Sequence, residues 1–211
     1  MTEAKVTTLH LWPTPVMLLE LDAALAAIHN PMLIAQVFRG CAQQRGSTHE
    51  LRFHDLHHND SEAVRWLSEE VRRAASWFCG YTSTAGIHVG LRGVQINRGG
   101  HINTHTEARE SDLGVAYWPS GDPARIGTVL NQNADGVRAP TFVLEDPSRH
   151  LSDLRLPQET RHSVNFCPRP GLLAIYPAHL PHNVHPYWGD EPFIQIVAQV
   201  RMPWPATYFR E

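Results

Sequence analysis

Fourteen of the 211 residues are histidine, the side chain that most often ligates metals and carries protons near neutral pH. Two histidine-bearing segments hold the chemistry. The first runs Gly99-Gly100-His101-Ile102-Asn103-Thr104-His105-Thr106-Glu107, and the second runs Pro177-Ala178-His179-Leu180-Pro181-His182-Asn183-Val184-His185-Pro186. His105 and Glu107 stand two residues apart, a spacing that puts both side chains on one face of extended backbone. With one imidazole added from a neighbouring strand they make the two-histidine, one-carboxylate set, which grips one triangular face of an octahedral ion and leaves three positions open. Oxygen-activating iron requires those open positions, because a co-substrate and dioxygen must both reach the metal. The carboxylate also cancels one unit of the ion's charge. A His-x-Glu pair on a solvated edge strand would bind nothing, so the weight falls on the second segment, which follows an apolar run ending in Tyr176-Pro177. His54, His57 and His58 lie among Asp55, Asn59 and Asp60 and read as a loop.

Composition narrows the classes. The chain is 42% hydrophobic and 18% charged, within the globular range. Its length suits one domain, 1–211, with its own core. A formal net charge of −3 gives no basic excess for a nucleic-acid backbone or an anionic membrane. Of the 18 basic residues only Lys5 is a lysine, so the cations are planar guanidinium groups. Cys41, Cys79 and Cys167 form no CxxC pair and cannot all pair within one chain, which points to a reducing compartment. No apolar run is long enough to span a membrane, and Val16 to Ile28 is a poor signal peptide because Glu20 and Asp22 interrupt it. The expected location is cytoplasmic.

The elements that must position these residues fall into two stretches. Residues 1–80 read as mainly helical support, apart from a short strand around Thr8 to Trp12. Asn30-Pro31 suits the start of a helix running to about Gln44. Asn59 and Glu62 are spaced as a capping box for a second helix that Gly80 terminates. Along it Ala63, Leu67, Val71, Ala74 and Phe78 form one apolar face, which should pack on a sheet. Residues 81–211 form a β-rich core. Short runs at Ile87 to Ile96, Leu113 to Trp118, Thr141 to Leu144, Val164 to Phe166, Leu172 to Tyr176 and Phe193 to Val200 alternate with Gly/Pro/Asn/Asp turns. This pattern predicts an antiparallel sandwich or barrel with helices against one sheet.

The chain resembles a bacterial group of iron(II)/2-oxoglutarate-dependent oxygenases with the double-stranded β-helix, or jelly-roll, fold. Leu11-Trp12-Pro13-Thr14-Pro15-Val16 is similar to that group's opening aromatic-Pro-Thr-Pro-Val run. His105-Thr106-Glu107 followed by Gly114-Val115-Ala116-Tyr117 resembles its metal segment and the Gly-Val-x-Tyr strand after it. Thr141-Phe142 through Glu145-Asp146-Pro147 is similar to a strand ending in an Asp-Pro turn. Gly171 to Pro177 and then Leu180-Pro181-His182-Asn183-Val184 resembles the segment that carries the distal ligand. The resemblance implies a mainly β, α+β jelly roll buttressed by N-terminal helices. It makes His105, Glu107 and His182 ligands of Fe(II), and it implies 2-oxoglutarate as cofactor, dioxygen as co-substrate, and a small metabolite hydroxylated at a C–H bond. It leaves Asn97, Arg98, Tyr117 and Gln195 as co-substrate contacts, with Trp118, Trp188 and Tyr117 as pocket-lining candidates. His179 and His185 become neighbours of the site, and His101 a reserve ligand or substrate contact. Oligomeric state stays open, a homodimer included.

One departure counts against the pattern. About eleven residues after the distal histidine, relatives place an arginine and, two residues on, a serine, which bind the distal carboxylate of 2-oxoglutarate. Here those positions are Phe193 and Gln195. Phenylalanine cannot pair with a carboxylate, and a buried unpaired carboxylate is costly. Arg201 shares the facing of Phe193, but eight residues of strand is roughly 26 Å. Either another arginine reaches in, with Arg92, Arg98, Arg109 and Arg161 as candidates, or 2-oxoglutarate is not used. The alternatives are an iron oxygenase or oxidase without 2-oxoglutarate, a cupin-type metalloenzyme, and a binding protein that turns nothing over.

Overall fold

The computed structural model describes residues 5–11, 14–42, 49–109, 111–121, 141–145 and 163–203. Trp12 and Pro13 of the opening motif, Asp146-Pro147 and Arg161 lie outside them. Along the chain the elements are β1 (Lys5–Leu11), β2 (Thr14–Glu20), α1 (Ala23–Ala42), β3 (Glu50–Phe53), a 3-10 turn (Leu56–His58), α2 (Glu62–Phe78), β4 (His88–Ile96), β5 (Ile102–His105) and β6 (Leu113–Trp118). There follow β7 (Phe142–Glu145), β8 (Ser163–Phe166), β9 (Leu172–Pro177), β10 (His182–Val184) and β11 (Phe193–Arg201).

The strands form a seven-stranded sheet, ordered β1-β2-β9-β6-β11-β4-β3, and a four-stranded sheet, ordered β5-β10-β7-β8. All the neighbour pairings are antiparallel. From β4 the chain passes from sheet to sheet as far as the β7–β8 pair, then winds back. Two returning strands slot between outgoing ones, β11 between β4 and β6 and β10 between β5 and β7, while β9 lies between β6 and β2. This is the double-stranded β-helix that the motifs imply.

Side-chain parity divides the interior in two. In β6, Leu113, Val115 and Tyr117 join the core beneath the helices, while Ala116 and Trp118 face the smaller sheet. In β9, Leu173 and Ile175 point to the helices, and Leu172, Ala174 and Tyr176 point inward. These strands are buried on both faces, which is why they read as unbroken apolar runs rather than alternating ones. The helix-side core gathers Ala63, Leu67, Val71 and Ala74 of α2, as the apolar face of that helix predicts.

Residues 1–80 carry more β-structure than their sequence suggests. The β1–β2 hairpin extends one edge of the larger sheet through β9, and β3 closes the other edge on β4. Helix α1 starts earlier than Asn30-Pro31. The Asp22 carboxylate accepts the Ala24 and Leu25 N–H groups at 2.9 and 3.0 Å, and this cap sets the start. Pro31 sits inside the helix on an exposed face, and Asn30 is buried, accepting the Tyr117 hydroxyl. Helix α2 is capped by Ser61 rather than Asn59: its Oγ accepts the Val64 N–H at 3.2 Å and a Gln36 Nε2–H from α1 at 2.7 Å. Its C-terminus ends as the sequence predicts, with Gly80 at φ +71°. There the Gly80 N–H reaches Trp77 O and the Tyr81 N–H reaches Ser76 O, the paired bonds of a Schellman motif. Among the described residues no helix is long and apolar enough to cross a membrane.

Leu67 is fully buried where α2 meets the sheet. Leu67→Ala is expected to lower unfolding free energy by about 2–5 kcal/mol in urea titration, with metal affinity of the folded fraction unchanged.

Candidate metal centre

His105 is the last residue of β5 and His182 the first of β10, and the two are direct partners in the antiparallel register. Cross-strand partners project from the same face, so the imidazoles meet with centroids 4.2 Å apart and planes inclined by 52°. Glu107 lies beyond the end of β5. Its N–H donates to Ala178 O at 2.9 Å, which ties it to the turn leading to His182. The ligand atoms of His105, Glu107 and His182 all lie within 4.8 Å of one another.

Local backbone fixes the tautomers. The Nδ1 of His105 is 2.9 Å from Asn103 O, and the Nδ1 of His182 is 3.0 Å from Leu180 O. A carbonyl only accepts, so both Nδ1 atoms carry the proton and each neutral ring keeps its lone pair on Nε2. Glu107 is oriented by the larger sheet. Arg92 Nη2 donates to both its oxygens at 2.8 Å, and Gln199 Nε2 donates to Oε2 at 3.0 Å. Its Oε1 is 3.5 Å from His105 Nε2. Donor type, convergence and tautomer therefore suit a divalent ion gripped from one side.

The charges agree. Burial alone would raise the Glu107 pKa, but hydrogen bonds from His105 and Gln199 and the charge of Arg92 bring it to about 2, so the carboxylate is ionised. Burial, with the nearby His105, pushes His182 down to about 4, so it is neutral at pH 7. His105 is raised, chiefly by its hydrogen bond to Glu107, with burial and Arg52 opposing. Tyr176 packs edge-on against His182 at 5.1 Å. Its ring occupies the space above Gly114, where an added Cβ would come within 2.5 Å of it. The glycine of the Gly-Val-x-Tyr motif thus makes room for the ring that braces the distal histidine.

An open cleft of about 400 Å3 leads from the three ligands into the space between the sheets, lined by Arg52, Arg92, Val94, Ile102, Phe142, Val184, Gln195 and Val197. Of the expected co-substrate contacts, Gln195 lies in this wall. Tyr117 does not: its ring sits in the helix-side core and its hydroxyl donates to Asn30 Oδ1. Arg98 is at the surface in an ion pair with Asp190, and Asn97 accepts from Gln95. His101, His179 and His185 are exposed and outside the cleft wall. Trp188 is also exposed, whereas Trp118 is buried between the sheets. Phe193 is buried against Tyr187. Among the candidate arginines Arg92 reaches the cleft, Arg109 is exposed away from it, and Arg201 is exposed at the far end of β11. Sequence reading missed Gln199 and Arg52. Gln199 was detectable, since it shares inward parity with Gln195 on an otherwise apolar strand. Arg52 was not, because β3 shows no strand pattern.

Where the His105 ring is protonated, a metal must displace that proton, whereas His182 is neutral at pH 7 and Glu107 is ionised. Binding should therefore release up to one proton below the raised His105 pKa and none well above it. The site's affinity for Mn(II) or Ni(II) should fall by up to about tenfold per unit as pH drops below the raised His105 pKa. Calorimetry in buffers of different ionisation enthalpy measures both.

No protein-family model matches the sequence, and no curated protein matches it significantly. Solved structures do match in fold. The nogalamycin-biosynthesis epimerase SnoN, in complex with Fe3+, alpha-ketoglutarate and nogalamycin RO, has a TM-score of 0.61 at 16% identity, covering 88% of this chain and 78% of that one. A prolyl hydroxylase from Trichoplax adhaerens has a TM-score of 0.60 at 13% identity, covering 88% and 83%. HygX from Streptomyces hygroscopicus, with nickel, 2-oxoglutarate and hygromycin B bound, has a TM-score of 0.60 at 9% identity, covering 90% and 84%. At these identities the likeness is one of architecture: the chain has the double-stranded β-helix fold found in 2-oxoglutarate-dependent non-haem iron enzymes.

Proposed function

We propose that this protein is a non-haem iron(II) oxygenase that uses 2-oxoglutarate and dioxygen to oxidise a C–H bond of a small metabolite. The observation that carries this reading is the convergence of His105, Glu107 and His182 within 4.8 Å at the mouth of a cleft between the two sheets. Three of the metal's six positions would stay open on the cleft side, which is what a chelating 2-oxo acid and dioxygen need. SnoN and HygX, described with alpha-ketoglutarate or 2-oxoglutarate and a metal, support the choice of co-substrate. Their complexes with nogalamycin RO and hygromycin B support a small-molecule substrate. An iron held by His105, Glu107 and His182 would supply oxidative decarboxylation of the 2-oxo acid coupled to oxidation of the substrate bond.

The chain's own residues do the rest. His105 and His182 present Nε2 because their Nδ1–H groups are held by backbone carbonyls. Arg92 and Gln199 keep the Glu107 carboxylate ionised and aimed. Val94, Ile102, Phe142, Val184 and Val197 make the cleft wall apolar, which excludes bulk water from the reacting atoms. The free thiols of Cys41, Cys79 and Cys167 fit a reducing, cytoplasmic setting.

A second reading has its own observation: Phe193 stands where a cation is expected, which favours an iron oxygenase that takes no 2-oxoglutarate. Product analysis separates them. Anaerobically iron-loaded protein given 2-oxoglutarate and then oxygen is expected to form succinate slowly without substrate. His105→Ala and Glu107→Ala should form none while keeping the native circular dichroism spectrum. Oxygen uptake with no succinate would favour the second reading, and full turnover by either variant would refute the ligand assignment.

A further inference from the structure

Phe193 leaves the inward face of β11 beside the cleft without a cation, and Arg52 of β3 lines that cleft. Cross-strand register lays the inward-facing residues of the larger sheet in rows. Gln199 lies opposite Gly114. Val197 lies opposite Arg92. Gln195 lies opposite Val94, which in turn lies opposite Arg52. Phe193 lies opposite Ile96. The first two rows serve the metal triad, since Gln199 and Arg92 hold Glu107. Rows two residues apart along a strand are about 6.8 Å apart, so Gln195 and Arg52 stand about that far beyond Arg92 along the cleft.

This third row is polar, and it takes no part in holding the triad. Gln195 is 2% exposed, and its Oε1 has no hydrogen-bond partner among the described residues. A half-turn of its amide exchanges oxygen for N–H at the same place. Arg52 lines the same cleft, and its Nε edge is held by Glu50 at 2.5 Å. That anchor costs part of the guanidinium's charge, yet it also fixes the side chain along the wall. The next row runs Phe193, Ile96 and Glu50; its two central side chains are apolar and buried, and the Glu50 carboxylate is the one that holds Arg52.

Resting on the oxygenase reading, we propose that Arg52, seconded by Gln195, receives the distal carboxylate of a 2-oxo dicarboxylic acid whose other end chelates the metal. The formal charges support a dianion. A divalent ion, Arg52 and Arg92 against Glu50 and Glu107 leave a surplus of two positive charges, and a 2-oxo dicarboxylate cancels both. A monocarboxylate would cancel one and leave the Gln195 amide unpartnered, at a cost that buried polar groups carry. The cation thus comes from β3, an edge strand outside the eight that wind the β-helix.

The test compares 2-oxoglutarate with 2-oxopentanoate, which has the same five-carbon skeleton without the distal carboxylate. Both are titrated anaerobically into Mn(II)-loaded protein by calorimetry. Wild type should bind 2-oxoglutarate more tightly by about ten- to hundredfold, the range of a charge-assisted hydrogen bond. At saturating Mn(II), Arg52→Gln should erase most of that preference by weakening 2-oxoglutarate while 2-oxopentanoate binds as in wild type, and Arg52→Lys should restore part of it. A preference that survives in Arg52→Gln overturns the assignment, as does equal binding of the two acids by wild type. In both cases the oxygenase reading stands. Wild-type protein that takes up Mn(II) but binds neither acid overturns both.

Discussion

A single cross-strand pairing, His105 on β5 against His182 on β10, underlies the whole arrangement. Successive residues of a strand point to opposite faces, so a slip of one residue would send one imidazole into the cleft and the other to the outside. β10 is only three residues long and lies between β5 and β7, so few ladder bonds of its own hold the register. The surroundings supply what it lacks. The Glu107 N–H is bonded to Ala178 O, Glu145 N–H to Pro181 O, and His185 N–H to Thr141 O. Phe142 of the adjacent β7 and Tyr176 of β9 in the larger sheet pack against the His182 ring. The smaller sheet is a frame stitched around two histidines.

The larger sheet has a different task. Its central strands are buried on both faces, which makes polar residues on the inner face expensive unless they are paired. Arg92 and Gln199 are paired with Glu107. Tyr176, whose buried hydroxyl has no hydrogen-bond partner among the described residues, meets that expense for a packing reason, since its ring fills the space over Gly114 and braces His182. Inward polarity on a sheet otherwise built of Val, Ile, Leu and Ala therefore marks where the interior is organised for something other than stability.

This double burial also sets how much could be read from the sequence. Strands β6, β9 and β11 were legible nearly to their ends, Leu113–Trp118 most of all, because both-face burial writes a continuous apolar run between turn residues. Helix α2 was legible because its apolar face and Gly80 agree. What double burial conceals is facing. With every residue of β6 buried, nothing in the run says that Tyr117 points to the helices and Trp118 to the core between the sheets, and Tyr117 was accordingly expected at a pocket that it does not line. The strands that carry the ligands were the hardest to see, since β5 and β10 are short and filled with Asn, Thr and His, whose tendencies are those of loops. Only their chemistry betrayed them. Asn30-Pro31 misled because local cap geometry favours it, but the helix begins about two turns earlier, where the Asp22 carboxylate caps Ala24 and Leu25, and Asn30 is buried against the Tyr117 hydroxyl.

The anchoring of Glu107 constrains how it can serve a metal. An ionised carboxylate offers about four acceptor positions, two on each oxygen. Arg92 takes one on each, and Gln199 takes the second on Oε2. The remaining position is on Oε1, the oxygen that faces His105 Nε2. A cation held between the imidazoles would therefore meet one carboxylate oxygen, and meeting both would require Gln199 to let go. With one donor atom from each of three side chains, such an ion would keep positions for ligands arriving through the cleft. The hydrogen bonds that hold Glu107 from behind thus leave only its Oε1 facing the histidines.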